Sequence, residues 1–253
     1  MNLIENIIKT EQEFPKIFTN TLEKDYGILF FNEENRISHD SNHAILYPER
    51  ISDIEGVILE IRDFYLKKGL EPRIYHPFTD GYFEQHRAIF EQHGFIIHKY
   101  GLNRFMVLEK DNHIKVNGNL IIKRITEWDN RIEKDIYAPD NDIFTPIVIR
   151  NCLNDESYCC FVGYIDGKAV STASIYYSKY GCARIDSVET AQTHRKKGYS
   201  REVISYIVEY HKQHSKVPLF LWPANDTADK IYTEAGFSPL FQSEAGEAVF
   251  CEN

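Results

Sequence analysis

The 253-residue chain lacks any apolar run near the roughly 20 residues that cross a bilayer. That excludes a helical membrane span, and the charged start "MNLIENIIKTEQEF" does not have the pattern of a secretory signal. Positive charge is also scarce: 29 Lys and Arg face 38 Asp and Glu, for a net charge of −9. Binding along a nucleic-acid backbone needs many clustered cations, so no nucleic-acid partner is expected. The five cysteines (Cys152, Cys159, Cys160, Cys182 and Cys251) are odd in number and contain no CxxC pair. They fit free thiols in a reducing compartment rather than a disulfide framework or a thiolate metal site. Neither GxxxxGK[ST] nor GxGxxG occurs, so both common nucleotide loops are missing. These absences predict a soluble, cytoplasmic protein without metal, membrane or nucleic acid. The hydrophobic share of 43% supplies a core for one large domain or two small ones.

One stretch runs against the acidic balance. "HRKKGYSREVI", His194 to Ile204, places three cations in a row before Gly198 and the start of an apolar rhythm. A strand-like run ends just before it and a helix-like run begins within it. The first turn of a helix has unpaired N–H groups and a partial positive charge of about half an electron. With Gly198 allowing close backbone approach, the loop reads either as a phosphate cradle or as a solvated, basic helix start.

The second half of the chain predicts the order β, α, α, β, β, β, α, β, α, β. "NLIIKRIT" is a strand, and two short helices follow, broken near Ala138-Pro139-Asp140. "CCFVGYIDGKAVSTASIYYS" is a hairpin around Asp166-Gly167. "ARIDSVET" is a strand, and Val203, Ile204, Ile207, Val208 and His211 form the apolar stripe of a helix. "VPLFLW" is a strand, and "DTADKIYTEAG" is a helix capped by Asn225 or Asp226 and stopped by Gly236. "EAVFCE" closes the chain as a strand. The first half repeats part of this plan: Ile89 to Phe95 aligns with Ile231 to Phe237, each ending in Gly-Phe, after a strand with a proline exit. The expected fold class is α/β, of the α+β mixed-sheet kind, with two similar domains. Each has a central, mostly antiparallel sheet flanked by helices. Domain boundaries are expected at 1–111 and 117–253, around the polar stretch Lys110 to Val116.

Val188-Glu189-Thr190, Gln192 and Arg195-Lys196-Lys197-Gly198-Tyr199-Ser200 resemble the acetyl-CoA site of the GNAT acetyltransferase superfamily. That pattern is V-x-T-x-P-x-x followed by R/Q-x-x-G-x-G/A. Gln192 stands where proline is usual, and Ser200 where glycine or alanine is. Asn225, Ala228, Tyr232 and Gly236-Phe237 resemble its second signature, N-x-x-A-x-x-x-Y-x-x-x-G-F. The resemblance covers Gly118 to Asn253. It implies acetyl-CoA as co-substrate, with backbone groups of Val188 and Thr190 on the pantetheine arm. It implies the amides of Lys196, Lys197, Gly198, Tyr199, Ser200 and Arg201 on the pyrophosphate, with Arg195 at the rim. Asn225 and Ala228 would border the pantetheine, and Tyr232 would protonate the leaving thiolate. Family members often carry a carboxylate at the position of Arg184; here Asp186 is the candidate base and Glu189 the second, with a water chain as the alternative.

The implied function is an acetyl-CoA-dependent N-acetyltransferase acting on a small-molecule or peptide amine, as monomer or homodimer. The alternative is a non-catalytic acyl-CoA-binding sensor or interaction module. Met1 to Asp111 reads as a degenerate copy: Glu49 and Asp53 stand where phosphate would bind, and Phe90 stands in place of the tyrosine. Asp140 and Asp142 are candidates for attracting a cationic amine. His39 and His43 read as part of a polar loop rather than as metal ligands.

Overall fold

The computed structural model describes residues 2–76, 78, 80–110, 112 and 114–251. In chain order its elements are α1 (Leu3–Glu13), β1 (Asn20–Lys24), β2 (Gly27–Phe31), β3 (His43–Leu46), α2 (Ile54–Lys67), β4 (Arg73–His76), α3 (Tyr82–Gln85), α4 (Arg87–Gln92) and β5 (Phe95–Leu108). They continue as β6 (Ile121–Ile125), α5 (Asn130–Ile132), α6 (Thr145–Cys152), β7 (Tyr158–Ile165), β8 (Lys168–Ser178), β9 (Cys182–Thr190), α7 (Tyr199–His214), β10 (Leu219–Leu221), α8 (Asp226–Glu234) and β11 (Phe237–Phe250). The chain divides into a larger unit, residues 1–10 with 104–241, and a smaller unit, residues 11–103 with 242–253. Strands β5 and β11 each contribute residues to both. These units differ from the expected bounds 1–111 and 117–253, since residues 1–10 group with the larger unit and 242–253 with the smaller. Asp111 and His113 of the expected linker, the proline exit Pro77, and Glu252 lie outside the described residues.

In the larger unit the strands run in the order β11, β5, β10, β9, β8, β7, β6. β10 pairs in parallel with β9 and antiparallel with β5, so α7 is a crossover helix between β9 and β10. The hairpin turn between β7 and β8 puts Asp166 and Gly167 both at positive φ, +47° and +77°, the conformation that an Asp-Gly turn favours. The predicted stripe on α7 is the buried one: Val203, Ile204, Ile207, Val208 and His211 all face inward. The four aliphatic residues pack with Ile175, Ile185, Leu219, Leu221, Ile231 and Phe237. Each such aliphatic side chain contributes about 1.5–3 kcal/mol when fully buried. His211 is accommodated because Nε2 bonds the Val217 carbonyl at 3.0 Å.

The smaller unit orders its strands β1, β2, β3, β4, β11, β5. Its core sets Ile58, Ile61 and Tyr65 of α2 against Leu29, Ala44, Leu46, Ile74, Phe90 and Phe95. β3 and β4 pair in parallel across α2, as β9 and β10 do across α7. Thus β3-α2-β4-α3/α4-β5 repeats β9-α7-β10-α8-β11. Both Gly-Phe pairs also do the same work. A Cβ on Gly236 (φ +99°) would overlap the Lys110 carbonyl, and one on Gly94 (φ +83°) would overlap the Phe250 ring. Each glycine opens a strand where another segment crosses within bonding distance: Gly236 O accepts from Glu109 and Lys110, and Gly94 O from Cys251.

Two elements lay outside the sequence expectations, α1 and β1. β11 is also longer than "EAVFCE", beginning at Phe237. Its Pro239, Gln242 and Glu244 interrupt any period-2 pattern, because the strand passes from one unit's packing into the other's.

His43, at the start of β3, is 4% exposed, with Nδ1 bonded to the His39 carbonyl at 3.0 Å. Burial, reinforced by Arg73 and opposed by Glu247, pushes its pKa down to about 4. The folded protein therefore keeps His43 neutral while the unfolded chain takes up a proton below about pH 6.5. This contribution is fully present above that pH and is lost as pH falls towards about 4, amounting to roughly 3 kcal/mol. In urea unfolding, wild type should lose stability relative to His43→Asn by roughly 2–3 kcal/mol between pH 7 and about 4.5. A pH-independent difference between the two would contradict this.

Candidate functional site

β9 forms the first wall. It pairs regularly with β8 up to Asp186, with Ile185 opposite Ile175 and Asp186 opposite Ser174. The register then slips, and Ser187 takes a left-handed φ of +51°. Beyond this bulge Glu189 lies opposite Thr172 and Thr190 opposite Ser171. The Ala191 N–H donates to Val170 O at 2.9 Å, which sets the phase of the ladder. Because main-chain groups alternate along a strand, Val188 and Thr190 turn theirs away from β8. On that side β10 pairs with β9 only at Ala183 and Arg184. The two parallel strands part there, leaving an edge of β9 with outward amides.

The junction of β9 with α7 forms the second wall. A 3-10 turn over 192–194 leads to Lys196 at φ +64° and Gly198 at φ +86°. Gly198 is the N-cap of α7, and no side chain caps that end. The first-turn amides of Tyr199, Ser200 and Arg201 therefore lack the side-chain acceptor that usually satisfies one of them. Left-handed residues in such a turn direct successive N–H groups into one concavity. A Cβ at Gly198 would meet only Asn117 Nδ2, at 3.7 Å. Backbone conformation, not space, requires glycine there. The matching end of α2 is closed: the Asp53 carboxylate accepts from Gly56 N–H at 3.0 Å.

The cations of the loop divide into two groups. Arg195 donates from Nε to Thr190 O at 3.0 Å and pairs through Nη2 with Asp140. Arg201 makes two bonds to Glu234, at 2.9 and 3.0 Å. Lys196 and Lys197 are exposed at the rim. Backbone therefore makes the cradle, and two of its four cations brace neighbouring elements.

α8 supplies the third wall. Asn225 caps it, with Oδ1 accepting from Thr227 and Ala228 N–H at 3.0 Å each. Tyr232, one helical turn beyond Ala228, is 6% exposed and meets Phe237 edge-on at 6.2 Å. Burial raises its phenol well above the usual value, and the negative charges of Asp186 and Glu189 add to this. The three predicted catalytic groups thus share one electrostatic neighbourhood.

The two carboxylates differ. Asp186 pairs with Arg184 Nη1 at 2.6 Å and accepts from the Ser187 hydroxyl at 3.1 Å. Glu189 is exposed by surface area, yet its carboxyl is surrounded enough for burial to raise its pKa. Asp142 and Asp140 add to the rise, and Arg195 opposes it. The acidic loop anticipated at 140–142 thus acts electrostatically on Glu189. Asp142 itself is tied down, accepting from Thr145 N–H at 2.9 Å and Phe144 N–H at 3.3 Å.

Four residues here were not anticipated: Tyr137, Ser171, Thr172 and Ser174, all buried. The signal was "VSTAS", three hydroxyls within an otherwise apolar strand. His39 and His43 do not converge: His39 is exposed and accepts from Arg73 Nη2 at 3.1 Å, while His43 is buried. Among the described residues no group of three or more His, Cys, Asp or Glu is arranged to hold a metal, and no helix is long and apolar enough to cross a membrane.

Residues 122–237 match the sequence profile of the acetyltransferase (GNAT) family. The whole chain is similar in fold to a GCN5-related N-acetyltransferase from Kribbella flavida (TM-score 0.63, 15% identity, covering 100% of this chain and 97% of that one). It is also similar to a putative GNAT acetyltransferase from Novosphingobium aromaticivorans (TM-score 0.58, 10% identity, 96% and 95% covered). A tandem GNAT protein from the clavulanic acid biosynthesis pathway matches with TM-score 0.53 and 12% identity, over 83% of this chain and 76% of that one. No curated protein matches the sequence.

Proposed function

We propose that the larger unit is an acetyl-CoA-dependent N-acetyltransferase that acetylates a primary amine. One observation carries this reading: the uncapped start of α7 and the outward edge of β9 adjoin Tyr232 and Glu189. The residues present fit the co-substrate. The amides from Lys196 to Arg201 suit a pyrophosphate, with Lys196 and Lys197 adding charge. The edge at Val188 and Thr190 suits the amide groups of a pantetheine arm, and Asn225 retains its Nδ2 for the same arm. Ala228 is the small residue facing it.

Acetyl-CoA supplies an acetyl group activated as a thioester. Tyr232, held protonated by its surroundings, is the group that delivers a proton to the departing sulfur. Glu189, whose raised pKa brings it closer to that of an amine, takes the proton from the acceptor nitrogen, directly or through water. Asp186, engaged by Arg184 and Ser187, orients rather than accepts. Asp140 and Asp142 favour a cationic acceptor, a small-molecule or peptide amine. The protein works in the cytoplasm as a monomer or homodimer.

Residues 1–111 are read as a degenerate copy of the active domain at 117–253; the smaller unit takes most of that copy together with residues 242–253. Asp53 fills its own helix start, and Phe90, fully buried, lacks the tyrosine hydroxyl. Arg184, where a carboxylate is often found, favours the second reading, a non-catalytic acyl-CoA-binding sensor.

Titration calorimetry with acetyl-CoA should show binding by wild type and none by Gly198→Glu, which strains the left-handed turn and puts a carboxylate in the cradle. Absence of binding by wild type would contradict the proposal. Across a panel of amines, Tyr232→Phe should keep binding and slow turnover by roughly 10²-fold. Glu189→Gln should abolish an acid limb of the pH–rate profile centred above the usual carboxylate range, with rate rising as pH rises. Turnover unaffected by both changes removes these residues from the chemistry, and binding without any turnover in wild type favours the sensor.

A further inference from the structure

Around the bulge in β9, side chains of β8 add to the backbone ladder. Ser174 Oγ donates to Asp186 O at 3.0 Å, Thr172 Oγ1 to Ser187 O at 3.1 Å, and Ser171 Oγ to Glu189 O at 2.6 Å. Three carbonyls around the slip are therefore each met by a hydroxyl from β8. All three hydroxyl residues are fully buried. Thr172 spends its proton on Ser187 O, so at its 2.9 Å contact with Tyr137 the phenol is the donor. Tyr137, 2% exposed, ends the turn of helix that leads into the 138–142 loop. A directed chain thus runs from Tyr137 through Thr172 to the carbonyl of the one left-handed residue in β9.

Regular pairing would satisfy these carbonyls without burying any hydroxyl, and a left-handed serine is disfavoured in any strand. Such an outlier, over-determined by its surroundings, points to a use for the bulge rather than to stability. Its geometric effect is the change of phase that turns the Val188 and Thr190 amides to the open edge.

We propose that Thr172, fixed by Tyr137 and flanked by Ser171 and Ser174, is a positioning residue. It holds the bulge in the phase that presents a β9 amide to the thioester carbonyl oxygen. The inference rests on the acetyl-CoA reading above. It concerns four buried side chains, Tyr137, Ser171, Thr172 and Ser174.

The test uses the full chain and acetyl-CoA carrying a 13C label at the acetyl carbonyl, read by isotope-edited infrared spectroscopy beside calorimetry. Wild type should bind and shift the carbonyl band to lower frequency than in free acetyl-CoA. Thr172→Val keeps the shape but leaves Ser187 O without its donor. It should bind more weakly, and at saturating acetyl-CoA the band should return towards the free position. Thr172→Ser should restore the shift. Tyr137→Phe removes only the upstream donor and should move the band part of the way, which keeps the test available if the valine variant does not fold. A wild-type band without a shift, or variants that all retain the wild-type band, would overturn the inference while leaving acetyl-CoA binding intact. Failure of wild type to bind would instead overturn the reading beneath it.

Discussion

The slip between β8 and β9 at Ser187 is the constraint on which the rest of the site depends. Up to Asp186, β9 is an interior strand, paired with β8 on one side and with β10 at Ala183 and Arg184 on the other. After the slip it is an edge, and its outward amides have no strand to meet. Sheet edges are usually blunted because they recruit other chains; here the edge faces the uncapped start of α7. A left-handed non-glycine residue costs about 1–2 kcal/mol, a cost the buried hydroxyls of β8 offset by satisfying the carbonyls that the slip displaces.

The second determinant is a helix start left open. The two crossover helices make the contrast within one chain. α2 begins with Asp53, whose carboxylate occupies one of its own first-turn amides, that of Gly56. α7 begins with Gly198, which has no side chain to do so. An added carboxylate at such a point both competes for the N–H groups and repels an incoming anion. One residue type at one position therefore separates a structural helix from a binding one. The basic residues around Gly198 matter less than their number suggests, since Arg195 braces the 140–142 loop and Arg201 ties α7 to α8.

Much of the fold was legible because the second half alternates clear periods: the α7 stripe, the Asp-Gly hairpin and the Asn225 cap all appear as the residues predict. The repeat was visible in the two Gly-Phe pairs because each glycine must admit a crossing strand. α1 was legible and passed over, since Leu3, Ile4, Ile7 and Ile8 recur at helical spacing. What was not legible depends on long-range pairing: β1 has Leu22 as its one large apolar residue, and β11 changes its packing midway. At the site, motif spacing pointed to β9, the Gly198 turn and Tyr232, but not to the bulge. Its hydroxyls in "VSTAS" gain meaning only when their partners, 12 to 18 residues away in sequence, are known. The choice between Asp186 and Glu189 likewise turned on partners, Arg184 and Ser187 for one and the 140–142 loop for the other.

The central claim is that backbone amides on β9 and α7, more than the loop's cations, form the binding surface. Titrating the 15N-labelled protein with CoA, and following amide resonances by NMR, tests it most directly. The account predicts the largest changes at Val188, Thr190 and Lys196 to Arg201, with the amides around Asp53 in α2 unmoved. Changes spread over exposed lysines, or centred on the start of α2, would contradict it.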